Sequence, residues 1–349
     1  MVSILSHLET LFELEMHSSQ FDKHFFSIFR DFSQISVRYD AEYKAVWCYH
    51  KPNPRPVFST EMLRELRQMQ QGIMDYFEQK DPDDEPLIRY QILISKVPGI
   101  FSMGGDLKLF SNLIKENKRQ QLLDYGLQCI DTLYLNSICM NLPVTTISLV
   151  EGQAFGGGFE CALSSSVLIA TRNSEMGFPE IKFNLFPGMG AYQFIARSCG
   201  TQTAEKMLAT GDIYSAEELF NMGLVQALCE EDEGIEFVEK YMKEHNQKAS
   251  VHEALLSVKH RLHPIEYEEL ERVVELWVDT AFGLKEKDIK LMDRIVKAQE
   301  NKMLEELHVT RKRTHHDRRF IDDSINFPLT DSQGERVQAD RRRKTDRRF

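Results

Sequence analysis

The sequence lacks the features of a membrane-spanning or disulfide-bonded protein. No apolar run reaches about 18 residues, so no segment is long enough to cross a bilayer as a helix. The N-terminus (MVSIL) has no basic leader and no uninterrupted apolar core, so we expect no secretory signal and predict a cytoplasmic location. The six cysteines form no C-x-x-C pair and lie beside no histidine cluster. They are therefore predicted to be buried thiols, not disulfides or zinc ligands.

Negative charge exceeds positive charge except at the C-terminus. The 349 residues carry a net charge of -11, which argues against a nucleic-acid-binding body. Residues 310–349 contain 12 Lys/Arg and 7 Asp/Glu, a net charge of +5, which leaves -16 for the rest of the chain. Because this segment also has few aliphatic residues, we predict a basic, disordered tail. His315 and His316 are then expected to be solvated and not to bind a metal.

The order of predicted elements is typical of an α/β protein. Alternating residues at 34–51 predict a hairpin, and short strands are predicted at 88–96, 144–150 and 167–170. Helices are expected at 59–80 and 107–141, and residues 201–309 are mostly helical with a last strand at 225–228. Strand, glycine-rich turn and helix follow one another twice. We divide the chain into an N-terminal helical extension (1–33), an α/β core (34–232), a C-terminal helical region (233–309) and the basic tail (310–349).

The two glycine-rich turns, at 97–106 and 151–160, each follow a predicted strand and precede a predicted helix. Glycine lets a ligand approach the main chain, and the first N–H groups of a helix point outward as donors. Neither turn matches a phosphate-binding or dinucleotide-binding pattern. If both turns close strands of one sheet, two N–H groups can surround one oxygen and form an oxyanion hole. Ordinary turn formation is the alternative interpretation.

Two glutamates lie close to these turns in sequence, and each has apolar neighbours. Glu160 follows the triple glycine directly, and Glu180 comes 20 residues later. Burial raises the pKa of a glutamate and makes it a usable acid or base, whereas a helix N-terminus favours the anion of Glu160. The alternative roles are helix capping for Glu160 and a surface loop for Glu180. Asp106 is predicted to cap a helix, and Cys161 has no neighbouring histidine to activate it as a nucleophile.

Three blocks resemble the crotonase (enoyl-CoA hydratase/isomerase) superfamily. They are FSMGGDL at 101–107, EGQAFGGGFE at 151–160 and MGFPEIKFNLFPGMGA at 176–191, and the resemblance covers roughly residues 35–300. Within the superfamily, the sequence most resembles the diffusible-signal-factor (DSF) synthase branch. The segments that carry this resemblance are LPVTTISLV at 142–150, the third block and the helical insert at 107–141. The resemblance implies an α/β fold, a crotonase-like spiral of ββα units with an α-helical C-terminal region. It also implies a homotrimer or a dimer of trimers.

The resemblance assigns a role to individual residues. The oxyanion donors are the N–H groups of Gly105 and Gly157, and the acid/base pair is Glu160 and Glu180. Both glutamates are retained here, as in hydratases and signal synthases. Apolar residues near the site are candidates for an acyl pocket, with plain core packing as the alternative for each. These candidates are Met176, Phe178, Leu185, Phe186, Met189, Trp277 and Ile295.

The reaction that the branch implies is dehydration of a 3-hydroxyacyl thioester on acyl carrier protein, followed by hydrolysis of the thioester. Its product is a free cis-2-unsaturated fatty acid, a quorum-sensing signal. No metal or cofactor is implied beyond the acyl carrier protein or CoA that bears the substrate. The other implied partner is the receiver domain of a sensor kinase. The alternatives are an enoyl-CoA hydratase/isomerase of fatty-acid oxidation and a regulatory binding protein; the retained Glu160 and Glu180 argue against the latter.

Overall fold

The computed structural model describes residue 25 and residues 28–30, 32–52, 54–313, 329–330 and 336–337. For residues 302–313 and the last two pairs it describes the backbone alone. The predicted N-terminal extension and basic tail therefore lie mostly outside the described residues. No helix in the described part of the chain combines the length and the hydropathy needed to cross a bilayer.

The strands are short, and the helices are concentrated in the C-terminal half. The strands are β1 (Ile35–Asp40), β2 (Ala45–His50), β3 (Tyr90–Ser95), β4 (Ile100–Ser102), β5 (Thr145–Val150), β6 (Gln153–Phe155), β7 (Val167–Thr171), β8 (Glu175–Gly177), β9 (Ile213–Ser215), β10 (Ala227–Cys229), β11 (Leu329–Thr330) and β12 (Arg336–Val337). The helices are α1 (Thr60–Gln79), α2 (Leu107–Lys115), α3 (Arg119–Ser137), α4 (Gly157–Ser164), α5 (Ala191–Cys199), α6 (Thr201–Thr210), α7 (Ala216–Met222), α8 (Gly234–Asn246), α9 (Ala249–Leu262), α10 (Tyr267–Phe282) and α11 (Glu286–Arg313). Two 3₁₀ turns span Cys139–Asn141 and Pro179–Phe183.

The larger sheet has the strand order β1-β2-β3-β5-β7-β10, and only the β1–β2 pair is antiparallel. Side chains alternate between its faces, as the pleat requires. Val46 and Cys48 point into a core shared with α1, α3 and α4, whereas Ala45 and Trp47 point into a second core closed by α8. Every residue of β5 is buried, as expected for a central strand covered on both faces.

The smaller sheet, β4-β6-β8-β9, explains the spiral. After each of β3, β5 and β7 the chain adds one short strand to this second sheet and then turns into helix. The strand, strand, helix unit therefore repeats three times, which confirms the predicted α/β fold of ββα units with helices in the C-terminal region. The divisions proposed at residues 33, 232 and 309 stay predictions.

The helical stretch predicted at 107–141 consists of two α-helices and a 3₁₀ turn. The structure breaks it between Lys115 and Arg119, where Asn117 adopts a φ of 53°, and ends it at Ser137. A residue in the left-handed region cannot continue a right-handed helix, and asparagine tolerates that region better than most side chains. The strands β4, β6, β8 and β9 were not predicted, because three residues are too few to show an alternating pattern.

The two glycine turns are brought together by pairing of β4 with β6, in which Ile100 lies opposite Gln153. At the start of β6 the main chains touch: the N–H of Gln153 donates to the carbonyl of Gly99 at 2.9 Å. Gly152 has a φ of 92°, and a Cβ there would lie 2.0 Å from the Gly99 oxygen, so this approach requires glycine. The second turn is thus fixed beside the first.

Candidate active site

Two backbone N–H groups, those of Gly105 and Gly157, lie side by side where the turns meet. A Cβ on Gly157 would be 3.3 Å from the nitrogen of Gly105. Neither N–H donates to a group in the described part of the chain. Gly157 also begins α4, so the positive end of the helix dipole adds to its donor strength. Two adjacent, unpaired donors form a site for one polarised carbonyl oxygen.

Glu160 lies in the first turn of α4 and is 1% exposed. Its Oε1 accepts hydrogen bonds from the backbone N–H groups of Met189 at 2.8 Å and Ala191 at 3.1 Å. These donors lie at the start of α5, so the carboxylate occupies the N-terminal end of a second helix. Burial raises the pKa of Glu160 to about 7, and the two N–H bonds limit that rise because they stabilise the anion.

Glu180 lies in the 3₁₀ turn Pro179–Phe183. Its Oε2 is shielded from solvent and has no hydrogen-bond partner among the described residues. The carboxyl group packs on Gly156, where a Cβ would meet Oε1 at 2.3 Å. Burial, and then the charge of Glu160, raise the pKa of Glu180 to about 8. The two carboxyl groups are close enough to interact, and each makes ionisation of the other less favourable.

An apolar cavity of about 460 Å³ joins the glycine turns and both glutamates, a volume typical of small-molecule sites. Its exposed mouth is formed by the 3₁₀ turn, with Lys182, and by α11, with Ala298. Its floor is formed by buried side chains of α1, α3 and α4.

Five of the seven predicted pocket residues lie in the wall of this cavity. They are Leu185, Phe186, Met189, Trp277 and Ile295. Met176 and Phe178 do not line it, and their assignment to the pocket is corrected: both are buried in the hydrophobic core. Met176 is the middle residue of β8, between strands β6 and β9. The ring of Phe178 stacks on Phe159, with the ring centroids 4.9 Å apart.

The floor residues were missed by the sequence analysis. They are Leu63, Leu66, Cys129, Thr132, Leu133 and Cys161. The apolar faces of α1 and α3 are readable from helical periodicity, but periodicity alone does not tell which part of a buried face borders a cavity. No other local signal in the sequence marks these positions.

The secondary candidates have structural roles. Cys161 is buried, and burial raises the pKa of its thiol to about 12, so it remains protonated and a poor nucleophile. All six cysteines are free thiols, and five of them are buried, Cys199 being partly exposed. Asp106 caps α2 through its Oδ1, which accepts from the N–H of Leu109 at 3.0 Å, as predicted. Within the described ranges no group of three or more His, Cys, Asp or Glu is arranged to hold a metal ion.

The fold and the site define a class of protein: a mixed α/β chain, with a parallel sheet and a helical C-terminal region, whose cavity combines two unpaired backbone donors and a pair of buried carboxyl groups. Residues 50–303 match the family model described as enoyl-CoA hydratase/isomerase. The chain belongs to this family.

Curated relatives match parts of the chain, and a solved structure shares its fold. The chain is 31% identical over 191 residues to the enoyl-CoA isomerase/hydratase fer4 of Mycosarcoma maydis. The matched region covers 53% of this chain and 66% of that protein. It is 30% identical over 146 residues to the mitochondrial methylglutaconyl-CoA hydratase of Mus musculus, which covers 42% of this chain and 44% of that protein. The matches thus span two thirds or less of these relatives. The crystal structure of an enoyl-CoA hydratase from Bacillus halodurans shares the fold, with a TM-score of 0.61, 23% identity and coverage of 74% of this chain and 98% of that chain.

Proposed function

We propose that this chain catalyses the reversible addition of water to a 2-enoyl thioester, which interconverts it with the 3-hydroxyacyl thioester. The observation that carries the proposal is that two unpaired N–H groups and two buried carboxyl groups meet on one apolar cavity. A thioester carbonyl is the acceptor that such donors fit, and the α and β carbons next to it are where acid and base are needed. The family and the hydratases among the relatives support the same reaction.

In the direction of dehydration, the thioester oxygen accepts from the N–H groups of Gly105 and Gly157. These donors stabilise the negative charge that develops on the oxygen when the α-proton leaves, and each contributes about 10²–10³ in rate. We assign Glu160 as the base, because two backbone N–H groups stabilise its anion, whereas Oε2 of Glu180 has no donor among the described residues. Glu180, with a pKa of about 8, protonates the departing β-hydroxyl. Hydration reverses these steps, with Glu180 as the base that activates water and Glu160 as the acid that protonates the α-carbon.

The substrate class follows from the cavity. The floor is apolar and closed by α1 and α3, so it fits the end of an alkyl chain and no charged group. The mouth is lined by the exposed Lys182 and Ala298, so we place the sulfur and the carrier beyond it on that side. We therefore propose a medium-chain acyl group carried on CoA or on acyl carrier protein. The homotrimer and the sensor-kinase receiver domain implied by the DSF branch stay predictions.

A second candidate is the DSF-synthase reaction, in which dehydration gives a cis-2-enoyl thioester and the thioester is then hydrolysed. The apolar floor favours it, because the enoyl thioester formed by dehydration must stay bound until it is hydrolysed. In the second step the same N–H pair holds the oxygen of the tetrahedral intermediate while a glutamate activates water. The sequence blocks at 142–150 and 176–191 are the other support.

The deciding experiment is incubation of the purified chain with medium-chain 3-hydroxyacyl thioesters on CoA and on acyl carrier protein, with products identified by mass spectrometry. Hydratase activity gives a 2-enoyl thioester in equilibrium with the 3-hydroxy compound. DSF-type synthesis gives a free cis-2 acid and a free thiol. If neither product forms on either carrier, the proposed function is wrong.

The pH dependence of turnover should be narrow. The reaction needs Glu160 ionised and Glu180 protonated, so kcat/KM should rise as the pH passes about 7 and fall as it passes about 8. The two limbs belong to the coupled pair of carboxyl groups. Initial rates measured from pH 5 to 10 test this; a profile that is flat across pH 6–9 would contradict the assignment.

The floor should set chain length. Leu133 lies on α3 at the floor, and Leu133→Phe adds volume where the end of the alkyl chain is expected. Each methylene that no longer fits costs about 0.8 kcal/mol, roughly fourfold in kcat/KM. The best substrate should therefore become shorter. Leu135→Phe is the control, since Leu135 is a partly buried residue of the same helix and does not line the cavity. An unchanged chain-length profile in Leu133→Phe would place the alkyl chain elsewhere.

A further inference from the structure

The turn that carries Gly105 is held in place by hydrogen bonds from neighbouring segments of the chain. Gly104 has a φ of 93°, and neither Gly104 nor Gly105 has a side chain that would anchor the turn. The preceding segment runs beside it: the N–H of Met103 donates to the carbonyl of Pro56 at 2.7 Å, and the N–H of Phe58 donates to the carbonyl of Gly104 at 2.8 Å. That carbonyl belongs to the same peptide plane as the N–H of Gly105 and points the opposite way in a trans peptide. The bond from Phe58 thus directs the donor towards the cavity.

The other side of the turn depends on Asp106. Arg55, 9% exposed, donates from Nη2 to both carboxylate oxygens of Asp106, at 2.7 and 2.8 Å. Asp106 directly follows Gly105, and its side chain is 14% exposed. The hydroxyl of Tyr125 completes the frame, since it accepts from the N–H of Asp106 at 3.3 Å and donates to the carbonyl of Phe58 at 2.6 Å. Charge-assisted bonds in a buried position are stronger than the neutral bonds around them.

The C-terminal helix α11 reaches the same turn. Oε1 of Glu300 lies 4.0 Å from Nε of Arg55. The side-chain amide of Gln299 donates to the carbonyl of Met103 at 3.4 Å. Nη1 of Arg55 is buried and has no acceptor in the described part of the chain, so the guanidinium is held by these acidic partners alone. Arg55 therefore connects three pieces of the structure: its own proline-rich segment, the donor turn and the helix that borders the mouth of the cavity.

We propose that Arg55 is a positioning residue of the oxyanion hole: by binding Asp106, and through Glu300 the helix α11, it fixes the turn so that the N–H of Gly105 points at the thioester oxygen. This role rests on the proposed function, because it presupposes a thioester carbonyl between Gly105 and Gly157. Arg55 does not line the cavity, so it acts through the turn and not on the substrate.

The test uses Arg55→Met and Arg55→Lys with two readouts. The first is the absorption of bound 4-(dimethylamino)cinnamoyl-CoA, a chromophore whose band moves to longer wavelength when its carbonyl oxygen is polarised. The second is the separation of kcat from KM on a 3-hydroxyacyl thioester. A displaced donor should lower kcat about 10²-fold, with KM changed less than about threefold, and should remove most of the absorption shift. Arg55→Lys restores the charge and should regain part of both.

Two controls separate positioning from general stability. Arg172→Met removes an exposed ion pair with Glu230, whose atoms are 2.8 Å apart, and should leave both readouts unchanged. Asp106→Asn retains a capping oxygen for α2 and removes the charge that Arg55 binds, so it provides the same test if Arg55→Met does not fold.

If the wild type gives no absorption shift, the oxyanion hole itself is wrong and the role of Arg55 fails with it. If the wild type gives the shift and the folded Arg55 and Asp106 variants keep both the shift and kcat, only the positioning role is wrong.

Discussion

Glu160→Gln and Glu180→Gln should each lower kcat for a 3-hydroxyacyl thioester by about 10²–10⁴-fold, the contribution of a general acid or base. Glutamine has the size of glutamate, and its oxygen retains the bonds from Met189 and Ala191 in the first variant. Binding of the substrate should change little, because the backbone donors and the apolar wall are untouched. Steady-state kinetics with one thioester at its optimum pH measures both effects.

The same variants should not lose stability, and this separates catalysis from folding. In the folded chain the pKa values are about 7 for Glu160 and about 8 for Glu180, against 4.5 for the ordinary group. The folded state therefore binds protons more tightly, and the stability that this contributes is complete below about pH 4.5 and is lost as the pH rises through 8. Each glutamine variant is spared that loss, so its melting temperature at pH 9 should equal or exceed that of the wild type.

Glu151→Gln is the matched control for the glutamate variants. Glu151 follows β5, is partly buried, and has a pKa raised by burial and by Asp232, but it does not line the cavity. Its replacement should leave turnover within about twofold, as expected for a change outside the site. Near-normal turnover in either Glu160→Gln or Glu180→Gln would show that the reaction does not use two carboxyl groups.

The parts of the site that could be predicted were those encoded in short, contiguous segments. Glycine turns after strands are visible locally, and so are Glu160 and Glu180 among apolar neighbours. The family resemblance then identified which N–H groups face one another. The β4–β6 pairing that joins the two turns depends on three-residue strands, which carry no periodic signal of their own.

The properties that distinguish the two glutamates come from contacts distant in sequence. The N–H groups that stabilise the anion of Glu160 and limit the rise of its pKa lie 29 and 31 residues away, at the start of α5. Phe178, predicted to line the pocket, instead packs against Phe159 from another unit of the spiral. The different hydrogen bonding of the two glutamates is therefore a product of tertiary packing, and the sequence left the assignment of acid and base open.

Gly157→Ala should lower kcat by about 10²–10³-fold, the cost of losing one oxyanion donor. The new Cβ would lie 3.3 Å from the nitrogen of Gly105 and so would occupy space next to the donor that the thioester oxygen needs. Gly157 is the first residue of α4 and is not among the glycines with a positive φ, so alanine fits its backbone conformation and the fold should be retained. Turnover and thermal melting of the same preparation measure the two effects together.

Two other glycines make this result specific. Gly283→Ala also adds a methyl group whose nearest neighbour is a backbone atom at 3.3 Å, the oxygen of Thr280. Gly283 lies at the end of α10 and does not line the cavity, so the turnover of this variant should equal that of the wild type. Gly158→Ala would place a Cβ 2.4 Å from the oxygen of Ser102 and should lower stability as well as turnover. If Gly157→Ala folds and turns over normally, the carbonyl does not bind between the two turns. In the proposed reaction, the unpaired N–H groups of Gly105 and Gly157 bind the carbonyl and so place the α and β carbons within reach of the glutamates. Without that contact, other groups would have to orient the substrate.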